Sequence, residues 1–275
     1  MRRNLLASVL SLVILIMGSA AWAQSLTQQV VRHCSTTLPV TFSGGEAAVL
    51  LIGFFRNVPV SFKVTDNNGG TWQEAPNYPA GGPSDRGRMT YDIWVSFNHP
   101  AGSTTITAQT TNNPPFPFTN ASLDVFSGVS GPIDVVAINA AQNEDDTETF
   151  TPRTGILTTT FPHDLIVGGA YNDDGHFGDI NKVIDYGAGG GTPTLLTENE
   201  DCNGSGNLES AYQTATANGS YGFQFNTFGS NSDVIGGAVA LEVGGTNIPP
   251  VAPTCTCPSG YTLNQNNMCI YTGAP

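Results

Sequence analysis

Lysine is nearly missing from this chain. Lys63 and Lys182 are the only two, and all basic residues number nine against 22 acidic ones in 275. That balance excludes a nucleic-acid binder, because a phosphate backbone demands clustered Lys and Arg. It also argues against electrostatic adhesion to anionic lipid. No segment sustains a 3.6-residue apolar period, so a helical bundle is excluded. Beyond residue 23 there is no second long apolar run, and no integral membrane segment is expected after the leader.

Catalytic and metal-ligand motifs are scarce too. His33, His99, His163 and His176 are scattered, and none sits in an H-E-x-x-H spacing. Ser130, in Gly128-Val129-Ser130-Gly131, lacks the second glycine of a nucleophile elbow. Glu198 and Glu200 alternate as a glycosidase carboxylate pair would, but no apolar residue separates them, and a solvated turn fits better. A non-catalytic protein is the expectation, with a glycoside hydrolase as the lesser alternative.

What is present begins with an export signal. Arg2 and Arg3 precede an apolar run from Leu5 to Met17, and Ala21-Trp22-Ala23 closes it with a small-residue cleavage pattern. The mature chain is expected to start at Gln24 and to be secreted or held at the cell surface. Two of the nine basic residues leave with the leader, so seven face 22 acidic ones, a net charge of −15.

The rest reads as strands and turns. Val60, Phe62 and Val64 alternate with Ser61, Lys63 and Thr65, then Asp66-Asn67-Asn68-Gly69-Gly70 supplies turn chemistry and Trp72 closes the hairpin. Met89, Tyr91, Ile93, Val95 and Phe97 share one face of a following strand. Further strands are expected at 27–33, 39–42, 47–55, 104–110, 122–129, 133–139, 155–160, 164–170, 182–185, 194–198, 209–216, 220–226 and 234–243. Residues 209–217 alone have a helical alternative. The runs at 47–52 and 165–167 are apolar on both faces and suit strands covered on both sides. The inferred class is all-β, two antiparallel sheets face to face, of jelly-roll type. Residues 24–245 form the sandwich domain, 246–253 a proline-stiffened linker, and 254–275 a cysteine-containing tail.

Several of these stretches together carry a resemblance. They are Val64-Thr65-Asp66 with Thr71-Trp72, Met89–Trp94 with Ala101-Gly102, Leu123–Val129 with Ile133-Asp134, and His163–Gly168. In this order they resemble a group of secreted bacterial β-sandwich domains of surface proteins and exoproteins, over about 49–243. The resemblance implies a fold and a location but no catalytic residues. The chain departs from the group in the acidic insert at 143–149 and the loop at 172–191. Its tail, Cys257-Pro258-Ser259-Gly260-Tyr261 up to Cys269, looks like a small extracellular disulfide knot.

Three sets of candidate functional residues follow. On the strand at 89–97, Trp94 and Asp92 face away from the apolar row, so Trp94 is a candidate platform for a sugar ring, with Trp72 and Tyr78 beside it. The competing reading has the loop at 72–87 fold over the indole. Asn172, Asp173, Asp174 and Asp179 supply the oxygens that calcium prefers, though not in an EF-hand spacing. Among the five cysteines, Cys257 with Cys269 closes a local loop and Cys34 with Cys202 ties distant strands, which leaves Cys255 over. The expected partner is a polysaccharide or another surface protein, and the only candidate cofactor is calcium. A structural module joined to an assembly through its tail is the alternative function.

Overall fold

The computed structural model describes residues 24–55, 60–75, 89–112, 114–115, 117–129, 131–141, 152–172, 182–200, 206–225, 234–243, 261–263 and 269–271. The chain divides into two compact units, Met1–Gly245 and Thr246–Pro275. Among the described residues every regular element is a strand. In order they are β1 (Ser25–Ser35), β2 (Thr37–Phe42), β3 (Glu46–Phe55), β4 (Phe62–Asp66), β5 (Trp72–Glu74), β6 (Met89–His99), β7 (Gly102–Thr110) and β8 (Phe118–Ser127). Then come β9 (Ile133–Ala141), β10 (Leu157–Thr158), β11 (Leu165–Asn172), β12 (Val183–Asp185), β13 (Thr194–Glu200), β14 (Asn207–Thr214), β15 (Ser220–Tyr221), β16 (Phe223–Phe225) and β17 (Val234–Leu241). The second unit holds one hairpin, β18 (Tyr261–Leu263) with β19 (Cys269–Tyr271). The stretch with a helical alternative is β14, and the strand expected at 220–226 is broken at Gly222 into β15 and β16.

The fold is all-β and antiparallel, but its strands fill more than two sheets. In the first unit a three-stranded sheet, β2-β7-β4, precedes a five-stranded sheet, β1-β8-β3-β6-β5. A second five-stranded sheet, β13-β14-β11-β17-β9, follows, and the pairs β10-β15 and β12-β16 complete the set. Three apolar cores fill the spaces between. Leu38, Phe42, Phe62 and Ile106 of the three-stranded sheet meet Leu50, Ile52, Leu123 and Val125. The other face of that five-stranded sheet, with Val49, Leu51, Ile93 and Val95, meets Leu165, Val167, Val239 and Leu241. Beyond, Ile166, Ala170 and Ala238 pack on Tyr221, Phe223 and Phe225. Strand β3 therefore has cores on both sides, which is why residues 47–52 show no polar alternation. Each fully buried aliphatic or Phe side chain contributes roughly 1.5–3 kcal/mol of transfer free energy.

The strand orders repeat. Written from its other edge, the second large sheet runs β9-β17-β11-β14-β13, matching β1-β8-β3-β6-β5 strand for strand. The smaller sheets match as well, with β10 paired to β15 and β12 to β16 as β2 and β4 are paired to β7. Local chemistry repeats with them. Asp66 ends β4 and accepts the N–H of Asn68 and Gly70, while Asp185 ends β12 and accepts the N–H of Gly187, Gly191 and Gly222. The first unit is thus two halves of one topology, joined through their large sheets.

Candidate functional site

The turn after β4 is built around one carboxylate. Asp66 Oδ1 accepts the N–H of Asn68 at 2.8 Å and of Gly70 at 3.0 Å. Its Oδ2 accepts the Trp72 indole N–H at 2.9 Å and lies 3.2 Å from His99 Nε2. Phe42 stacks on the His99 ring at 3.6 Å and 15°. Burial pushes the Asp66 carboxyl up, but the hydrogen bonds from Trp72, Asn68, Gly70 and His99 outweigh it and hold the group below its ordinary value. The His–Asp pair is a turn staple, with both side chains buried. Gly69 at φ 82° supplies the left-handed residue, and a Cβ on Gly70 would strike His99 and Asp66.

This staple fixes Asn67 on the outside. Asn67 Oδ1 accepts Thr104 Oγ1 at 2.7 Å and the Thr105 N–H at 2.8 Å. Beside it the outer face of β2 and β7 carries a depression of about 360 Å³. Gln28, Pro39, Thr41, Asn67, Ser103 and Thr105 line it, and no charged side chain among the described residues does. Thr41 and Ser103 share a hydroxyl hydrogen bond of 2.9 Å. One row further along, Thr37, Thr107 and Thr65 stand side by side across the three strands. Hydroxyl and amide groups that both donate and accept, held on a rigid sheet, suit a neutral polyhydroxylated ligand.

The sequence-predicted residues lie elsewhere. Trp94 pairs with Leu50 of β3 and Glu74 of β5, is half-buried, and packs with Trp72 on the core under the three-stranded sheet. Its indole nitrogen is buried and has no hydrogen-bond partner among the described residues. Asp92 is buried at 3% exposure. Their face lies against a further sheet, which the two-sheet reading did not provide for. Trp72 is half-buried with its N–H given to Asp66, and Tyr78 lies outside the described residues. Asn172 ends β11, is buried, and accepts the Asn207 N–H through Oδ1 at 2.9 Å. Asp173, Asp174 and Asp179 lie outside the described residues, and among those described no group of three or more acidic, His or Cys side chains is arranged to hold a metal. The side chains of Glu198 and Glu200 and all of Cys202, Cys255 and Cys257 are likewise outside. Cys34 is disulfide-bonded and adopts φ 45°, and Cys269 opens β19 opposite Leu263.

Asp124 and Asp164 are among the buried carboxyls that escaped the sequence reading. Asp124 of β8 accepts Gln29 Nε2 at 3.0 Å and Ser122 Oγ at 3.2 Å, and Ser122 reaches Ser210 of β14 at 3.3 Å. Burial drives Asp124 up to about 7 against the pull of those two donors. Asp164 is buried beside Asp134, whose carboxylate accepts Thr160 N at 2.7 Å and Thr160 Oγ1 at 2.5 Å. Burial first, then Asp134 and the charge on Glu242, push Asp164 to about 8. Asp124 lies where the two large sheets meet, and Asp164 lies beside Asp134 of β9 just ahead of β11.

No family model, curated protein or solved structure matches this chain.

Proposed function

We propose that the chain is an exported, non-catalytic protein of cell-surface attachment or recognition, and that its ligand is glycan. One observation carries this reading. On a mature chain of net charge −15, the open depression on β2 and β7 is lined by no charged side chain among the described residues. A neutral sugar presents hydroxyls to such a surface and meets no ion to desolvate. The export leader supports the location. The pairs β1 with β8, β2 with β7 and β3 with β6 are those of one long hairpin rolled into two sheets, and they support a jelly-roll reading of the first half.

Affinity electrophoresis of the exported protein through gels holding neutral polysaccharides tests the function. Retardation that is lost in Thr105→Glu, a variant that plants a carboxylate in the depression, supports the assignment. Unchanged mobility on every neutral polysaccharide rejects it.

A further inference from the structure

The outer face of β12 and β16 in the second half, the counterpart of β4 and β7, carries chemistry different from the neutral depression. Ile184 of β12 stands opposite Gln224 of β16, and Gln224 bridges to Arg153 on its other side. The three therefore form one row on the outside of the layer, since registered partners share a face. Ile184 is 38% exposed, one of three large apolar residues at the surface among the described residues. Lys182, two positions earlier, is exposed as well. This face thus holds two of the seven basic residues of an acidic mature chain.

Arg153 is held ready. Its guanidinium carbon sits 5.2 Å from the centroid of the Tyr186 ring. That ring lies over Gly222, where a Cβ would meet it at 2.8 Å, and the Tyr186 hydroxyl donates to the Thr154 carbonyl. Stacking restrains the guanidinium before any ligand arrives, and its N–H edge keeps the fork that fits a carboxylate. Asp185, next to Ile184 in sequence, gives its oxygens to the N–H groups of Gly187, Gly191 and Gly222.

We propose that this face binds the carboxylate of an acidic sugar, a uronate residue of a polysaccharide. Arg153 takes the carboxylate in its fork, Gln224 bonds a ring hydroxyl, and Ile184 covers the apolar side of the ring. Lys182 adds long-range attraction. The footprint decides between occupants. Three adjacent extended segments set Arg153, Gln224 and Ile184 in a row of about 10 Å, a footprint far smaller than the roughly 800 Å² per partner of a stable protein interface. The inference rests on the glycan reading and names a second ligand chemistry for it.

Polygalacturonate and its fully methyl-esterified form share a backbone and differ in charge. The exported protein is titrated with each by calorimetry. Expected are binding to polygalacturonate that weakens with salt, at least tenfold weaker binding to the ester, and a similar loss in Arg153→Lys, which keeps charge but not the fork. Tyr186→Phe is expected to weaken binding several-fold with little change in Tm. Equal binding of both polymers, or an unchanged affinity in Arg153→Lys, overturns the proposal. A dimer seen by light scattering and broken by Arg153→Glu overturns it also, by making the face a contact between copies. Neutral polysaccharide bound without any uronate binding removes this inference alone. No polysaccharide bound at all removes the glycan reading with it.

Discussion

The ring of Tyr171 in β11 occupies the space that a Cβ on Gly53 of β3 would need, with Cγ 2.7 Å from that position. Across the same interface Tyr91 of β6 lies over Gly237 of β17, where a Cβ would stand 3.0 Å from its ring. Each half thus drives an aromatic ring into a glycine gap of the other. Interiors packed to crystal density have no slack for an added methyl there. Gly53→Ala is expected to cost about 1–3 kcal/mol through overpacking. Urea unfolding measures it, and a midpoint equal to that of the parent would show that the two large sheets are not interlocked at this point.

The turn staple makes a second quantity measurable. Asp66→Ala leaves the Trp72 indole N–H, the N–H of Asn68 and Gly70, and His99 without their acceptor. The loss is expected to reach roughly 2–4 kcal/mol, since several donors lose a charged partner at once. The pH dependence has a definite sign. The folded carboxyl lies below its ordinary 3.8, so its contribution is complete above that value and fades as the pH falls further. Thermal melts of parent and variant should therefore differ most at pH 7, and the difference should narrow in strong acid.

Buried carboxyls act in the opposite direction. Asp124 titrates near 7 and Asp164 near 8, against 3.8 for an ordinary aspartate. The folded chain keeps these protons after the unfolded chain has released its own. Their stabilising contribution is complete below about pH 4 and is lost as the pH rises through 7 and 8. For Asp124 the span amounts to about 4 kcal/mol as an upper figure. Asp124→Asn, which imitates the protonated acid, is expected to melt higher than the parent at pH 8 and to flatten the decline from pH 5 to 8. A decline of the same slope in parent and variant would show that Asp124 is ionised already at low pH.

The strands were legible because alternation and turn residues are local. Val60-Ser61-Phe62-Lys63-Val64-Thr65 marked β4, and the doubly apolar runs marked β3 and β11 as strands with cores on both sides. The number of layers was not legible, because periodicity tells which face of a strand is apolar and not which sheet covers it. Thr90, Asp92 and Ser96 are polar, so that side of the strand at 89–97 reads as open or covered by the loop at 72–87, whereas all three are buried. The outer depression was legible in part. Residues 103–109 alternate, with Ser103, Thr105 and Thr107 partly or fully exposed and Thr104, Ile106 and Ala108 buried. Asn67 was read only as a turn former, because its bond to Thr105 joins residues 38 positions apart.

Trp94 separates the two accounts of the first half. On an open face its loss would remove a sugar platform and leave stability intact. The indole instead packs with Trp72 on the core beneath the three-stranded sheet, with its nitrogen buried. Truncation removes that contact and leaves a cavity, at a cost of about 2–4 kcal/mol, below that of a fully buried Trp. The neutral depression lies on the far side of the three-stranded sheet, formed by Thr41, Ser103 and Thr105 rather than by β6. Trp94→Phe, which keeps most of the ring volume, is therefore expected to fold, to melt only a few degrees lower, and to migrate as the parent does through neutral polysaccharide gels. Trp94→Ala is expected to melt much lower. A Trp94→Phe protein of unchanged Tm that no longer binds the polysaccharide would return the sugar platform to β6 and take it from the depression.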